Sequence, residues 1–247
     1  STGNISVAFI MSQFQDEDFQ NGHNQDYFEG IAFNSSNSMW DYYDEVSEGM
    51  LNIEGDVFGP YTLDENAANY SSGSKFVRES VLAADNHIDY REYDAVIAIH
   101  SGPGGESTGD NDDIHSAFWS GLRINTNDGD YQVRQVSQVP EYQLSNGEKN
   151  PLGVWCHEFG HELGLPDFYD TDYSSEGSGN WAVMAAGSWG NSGETPVYFS
   201  AYSRFWLGWE TPELVTEDIA NLVIEPVSEG GKSYKLPIPG NQSDSNE

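Results

Sequence analysis

One stretch limits what this chain can fold into and what it can do. Residues 157–167 read His-Glu-Phe-Gly-His-Glu-Leu-Gly-Leu-Pro-Asp. Residues four apart share a face of an α-helix, so His157 and His161 can offer two imidazoles to one metal ion. Glu158 stands about 100° further round, near enough to touch a metal-bound water without being a ligand. Gly164 can adopt the left-handed conformation that ends a helix, and Pro166 stiffens the exit. Asp167 then returns toward the histidines as a third donor. The pattern is that of a zinc hydrolase with three protein ligands, an open coordination position and a glutamate base.

Composition narrows the setting. The chain has 247 residues, enough for one large domain or two lobes around a cleft. Seven Trp, 14 Tyr and 12 Phe supply a packed interior and argue against disorder. Nine Lys and Arg face 41 Asp and Glu, for a formal charge of −32. Such a surface repels nucleic acid and anionic membranes, and it suits cation binding, high salt or solubility outside a cell. A lone cysteine, Cys156, rules out an intrachain disulfide and a cysteine-rich zinc site, and its apolar neighbours Val154 and Trp155 mark it as buried. No apolar run reaches the roughly 20 residues of a membrane span. The chain opens at Ser1 without a leader-like segment, which reads as a processed product. Four Asn-x-Ser triplets, at Asn4, Asn34, Asn69 and Asn241, match the glycosylation sequon.

Along the chain, Ile5–Met11 and Ala95–His100 are apolar runs of buried-strand type. Residues 39–50 place Met39, Tyr42, Tyr43 and Val46 at helical spacing behind Ser38 as N-cap, and Lys75–Ala84 forms a second amphipathic helix. Leu51–Leu63 alternates around Ile53, Val57 and Tyr61, and Gly59-Pro60 predicts a strand broken by a turn. The Gly-rich segment after His100 lacks the lysine of a phosphate loop and reads as a tight turn. Glu106, Asp110, Asp112 and Asp113 crowd the next loop, either solvated or gathered on calcium. Asn127-Asp128-Gly129-Asp130 predicts a hairpin turn, with 131–139 as its second arm. Beyond Asp167, residues 169–193 read as irregular, and 198–209 as an aromatic helix; the tail from Asn241 carries no structural signal. The expected fold is α/β (α+β), with residues 1–164 forming a sheet-bearing subdomain that includes the active-site helix. Residues 165–247 form an irregular, helical subdomain, and the active-site cleft lies between the two.

Several stretches together resemble the immune inhibitor A family of secreted bacterial zinc metallopeptidases, within the metzincin-like group. They are residues 157–167, Trp181-Ala-Val-Met-Ala-Ala-Gly-Ser-Trp189, Ser200-Ala-Tyr-Ser-Arg-Phe-Trp-Leu-Gly-Trp209 and Trp40-Asp-Tyr-Tyr-Asp-Glu-Val-Ser47. The resemblance implies a metzincin-like catalytic domain with zinc held by His157, His161 and Asp167, and Glu158 as base. It also implies a methionine turn at Met184 below the metal, and structural calcium, for which the Glu106–Asp113 loop is the candidate. Polypeptide substrates, a monomeric state and a secreted location follow from the same likeness. The third ligand departs from the histidine of many metzincins. Ala186 stands where several of them carry a tyrosine two residues after the turn methionine, leaving Tyr198 and Tyr202 as candidate phenols. The chain resembles a catalytic unit whose downstream part is missing or separated. Two rivals follow from the residues alone: Glu176 or Glu194 as third ligand, and a catalytically inactive acidic calcium-binding module of the same fold.

Overall fold

The computed structural model describes residues 1–144, 147–172 and 174–237. Its centre is β1 (Gly3–Gln13), which pairs in parallel with β2 (Leu51–Thr62) on one side and β3 (Ala95–Pro103) on the other. Val7 to Met11 are fully buried, the signature of a parallel strand covered on both faces. Next to β3, again parallel, lies β7 (Val136–Leu144), and antiparallel to β7 lies β4 (Ala117–Trp119), giving the order β2-β1-β3-β7-β4. A short β8 (Glu148–Lys149) turns back on the far end of β7.

Side chains alternate along these strands, so the sheet divides the interior into two cores. Val7, Phe9 and Met11 join Ile97 and Ile99 in the first core, beneath α1 (Gln25–Phe33), α2 (Met39–Ser47) and α5 (Leu152–Glu162). Ala8, Ile10, Val96 and Ala98 face the second core, covered by α3 (Lys75–Ala84). The first core also takes in Val183, Met184, Phe199, Leu207 and Trp209, so one interior is shared by residues from both sides of position 164. The later part holds 3-10 turns at Gly179–Trp181 and Ala186–Gly193, then α6 (Ala201–Leu207). A two-stranded pair follows, β9 (Glu213–Leu214) with β10 (Tyr234–Lys235).

Most expected elements are present. In α2, Ser38 accepts from Asp41 N as an N-cap, and Met39, Tyr42, Tyr43 and Val46 are the buried face. Helix α3 spans the expected residues, and α6 forms within the expected 198–209. Three features differ. Helix α1, capped by Asn24, was not anticipated because the polar residues around it mask its short apolar face of Phe28, Ile31 and Ala32. Strand β2 continues through Gly59-Pro60, where the expected turn is instead a shift of register against β1 between Phe58 and Tyr61, as an edge strand tolerates. The hairpin forms around residues 127–130 as β5 (Ile124–Asn125) and β6 (Gln132–Val133), but residues from Val136 leave it to enter the main sheet. Val136–Val139 are buried on both faces, which a surface hairpin arm would not allow. A four-residue helical turn, α4 (Gly105–Thr108), follows β3. The tail from Asn241, with its sequon, lies outside the described residues.

Candidate metal centre

Helix α5 carries two glycines seven residues apart, hence on one face. A Cβ on Gly153 would stand 1.9 Å from Ser188 O, and one on Gly160 would stand 2.3 Å from Met184 Sδ. Only glycine lets the 184–193 segment lie so close to the helix, at a cost of about 1 kcal/mol per site in helix propensity. Met184 is fully buried there, directly under the turn between the two histidines. Gly164, at φ +92°, then ends the helix and sends the chain back toward the histidines.

The consequence is convergence. His157 Nε2 lies 3.1 Å and His161 Nε2 3.3 Å from Asp167 Oδ1. Their other ring nitrogens face backbone carbonyls: His157 Nδ1 donates to Val183 O at 2.9 Å and His161 Nδ1 to Leu165 O at 2.8 Å. A carbonyl oxygen only accepts, so both Nδ1 atoms carry a hydrogen; in the neutral ring each Nε2 then keeps a lone pair, whereas a proton on Nε2 lets it donate to Asp167. With both rings neutral, two nitrogen lone pairs and a carboxylate oxygen face one point, an arrangement that calls for positive charge between them. The ligand atoms lie within 4.8 Å of one another, the only such group of three His, Cys, Asp or Glu among the described residues. Two imidazoles and one carboxylate, with the imidazoles oriented by second hydrogen bonds, fit a zinc-type divalent cation.

The titration behaviour follows from the same geometry. Burial alone would lift the Asp167 carboxyl, but hydrogen bonds to His157 and His161 outweigh it and hold the group well below the ordinary carboxylate range. Burial pulls each histidine down, and its hydrogen bond to Asp167 reverses that, leaving both above the usual value. Glu158 is pushed up to about 7, chiefly by burial, while the two histidines pull the other way. It is 5% exposed, and its Oε2 has no hydrogen-bond partner among the described residues.

Strand β4 forms one wall. The ring of Phe118 lies parallel to His161, 5.8 Å between centroids, and Tyr169 lies parallel to His157 at 6.3 Å. Ser137, on β7, bonds both Glu158 O and Glu162, fixing the helix to the sheet. Sequence reasoning did not pick out Tyr169 or Phe118; only the two-residue distance from Asp167 hinted at the former. The phenols it did consider are engaged elsewhere: Tyr198 donates to Glu45, and Tyr202 packs against Phe168 and Trp206. Glu194 pairs with Lys149 at 3.2 Å, and neither it nor Glu176 joins the donor group.

The expected calcium loop is not gathered in this way. Glu106 accepts from Ser116 and Gln143, Asp110 accepts from Asp112 N, and Asp112 and Asp113 add no converging carboxylate. These bonds tie Glu106 to the segment before β4 and to β7 instead.

Comparison with known proteins places this geometry in context. The family model "Immune inhibitor A peptidase M6, catalytic domain" matches residues 84–211. The pre-pro-metalloprotease PrtV of Vibrio cholerae is 31% identical over 217 residues, covering 69% of this chain and 23% of its own length. Immune inhibitor A of Bacillus thuringiensis is 29% identical over 214 residues, covering 66% of this chain and 30% of its own. The chain thus spans less than a third of the curated relatives it matches. Among solved structures, metalloproteinase-II from Bacteroides fragilis aligns over 82% of this chain and 52% of its own, at 13% identity and a TM-score of 0.36. On the family match and the 31% identity to PrtV, this chain belongs to the immune inhibitor A family of M6 peptidases.

Proposed function

We propose that this chain is the catalytic unit of a secreted zinc-dependent endopeptidase, with His157, His161 and Asp167 as metal ligands and Glu158 as general base. The observation that carries this reading is the convergence of three lone-pair donors beside a buried carboxylate with a free oxygen. When bound there, a zinc ion supplies Lewis acidity toward a peptide carbonyl and brings the pKa of water down toward about 7. The protein's part is proton handling and positioning. Glu158 Oε2 accepts the proton of the attacking water and returns it to the departing amine. Its burial leaves Oε2 without a competing partner among the described residues, so that oxygen is available to the water proton. Val183 O and Leu165 O hold both imidazoles from behind, and Asp167 brings its carboxylate beside their Nε2 atoms as the third donor.

Edge strand β4 supports a polypeptide substrate. Its outer side has no partner strand among the described residues, so an extended peptide can add to it by backbone hydrogen bonds while crossing His161. The family resemblance and the −32 charge support an extracellular setting, which recovery of the protein from cells rather than from culture medium would contradict.

The test combines metal analysis with casein or gelatin cleavage for wild type and Glu158→Ala. The variant is expected to retain one zinc per chain and lose roughly a thousandfold or more in turnover. Cleavage undiminished by Glu158→Ala or by a zinc chelator would overturn the assignment.

A further inference from the structure

The Gly-rich turn after β3 holds a carboxylate that the proton transfers above leave unused. A Cβ on Gly104 would stand 2.5 Å from Glu106 Oε1, and one on Gly105 would stand 2.7 Å from the His115 ring. Gly105 lets α4 close onto the segment leading into β4, and Gly104 leaves room for the Glu106 and Gln143 side chains. Glu106 is thereby pinned against the entrance of that edge strand: Ser116 N donates at 3.0 Å, Ser116 Oγ at 2.7 Å and Gln143 Nε2 at 2.5 Å. All three donors are neutral. No lysine or arginine pairs with Glu106 among the described residues, and His115 Nδ1 is 4.0 Å away. The chain, with nine Lys and Arg against 41 acids, has little countercharge of its own to spare.

Position along the edge gives this charge its meaning. Ser116 precedes Phe118 by two residues, and in extended chain such residues point the same way, roughly 7 Å apart. Phe118 lies over His161. An extended peptide added to β4 across the metal donors therefore carries a side chain toward Glu106. We propose that Glu106 is a specificity-determining residue that takes a lysine or arginine side chain of the substrate, within about two residues of the scissile bond. This rests on the peptidase reading above and names a substrate class for it.

The experiment uses matched peptides in which lysine is replaced, position by position around the cleaved bond, by neutral norleucine. At one position wild type should cleave the lysine peptide about tenfold better in kcat/KM, with the advantage shrinking at high salt. In Glu106→Gln, which keeps an acceptor for Ser116, that ratio should fall toward one. An unchanged ratio in the variant, or no preference in wild type, overturns the inference. Calorimetry on Glu158→Ala, with Glu106 intact, guards against a slackened edge strand: the lysine peptide should bind about tenfold tighter than its norleucine partner, and equal affinities overturn the inference. Turnover of both peptides at equal rates rejects the specificity alone. Turnover of neither rejects the peptidase reading beneath it.

Discussion

The two cores flanking the sheet are built differently. In the second, buried hydroxyls bond to neighbours close in sequence: Tyr90 reaches Val81 O and Tyr70 reaches Glu79, each across nine residues. In the first, the corresponding bonds span most of the chain. Tyr43 donates to Cys156 O across 113 residues, Tyr42 to Val197 O across 155, and Arg204 to Val46 O across 158. The aromatic packing follows suit, with Phe159 of α5 edge-on to Tyr43 of α2, and Trp155 stacked on Phe9 of β1. The second core is closed by a helix and loops that can assemble locally. The first fixes α5 in place by contacts from distant segments, and α5 carries His157 and His161 of the converging group. Placing a site to within tenths of an ångström requires groups that are directional and shared by several elements.

This contrast can be broken in stages. The largest effect should come from paired truncations, Phe159→Ala in the first core and Phe76→Ala in the second. Each is expected to cost about 3–5 kcal/mol in stability by denaturant unfolding. Only Phe159→Ala should also weaken zinc binding when measured under conditions where both variants remain folded; equal losses of zinc affinity would erase the distinction. Next, Asp167→Asn removes the shared acceptor but little volume, and should weaken zinc binding by roughly a hundredfold without a comparable loss of fold. In wild type, zinc affinity should also drop as pH falls through the raised histidine values, because protonated imidazole has no lone pair to give. Competition titration with a chromophoric chelator reads both effects, and an Asp167→Asn chain with native affinity would remove Asp167 from the ligand set.

The smallest effect sits where β1 ends. Glu17 is pushed up to about 7 by burial first, then by Asp113, Glu141 and Asp16. Its folded-state value lies above the unfolded 4.5, so the folded form holds the proton more tightly. Stability is then unaffected by this group below pH 4.5 and declines as pH rises from there to about 7. The carboxyl is only half-buried, so solvent screening reduces the effect to about 1 kcal/mol. Glu17→Gln should accordingly raise the thermal midpoint at pH 8 and leave it unchanged at pH 4; a gain at both would point to a cause other than ionisation.

How much of this was legible beforehand differs between the cores as well. Residues 157–167 named all three converging donors, since helix periodicity and a glycine stop are local facts. Met39, Tyr42, Tyr43 and Val46 were readable for the same reason. What the sequence did not disclose was long-range. Nothing near Val183 marks it as the acceptor that orients His157, and nothing in the alternation of 131–139 says that its second half leaves a hairpin for the centre of a sheet. The acidic loop shows why carboxylate spacing alone does not reveal partners: Glu106 accepts from Ser116 and from Gln143, which lies 37 residues away. Phe118 and Tyr169 were missed because a ring stacked on a histidine leaves no periodic trace.

The close seating of Met184 under Gly160 has a consequence for how the molecule comes into being. A nascent α5 would possess two imidazoles but neither the carbonyl that sets the first one's tautomer nor the methionine that supports its floor, since both arrive 26 and 27 residues later. The donor set is therefore held in place only once residues 183 and 184 have docked on α5. On the peptidase reading proposed above, a chain cut before residue 183 is expected to bind zinc more weakly than the full chain, because it lacks both groups.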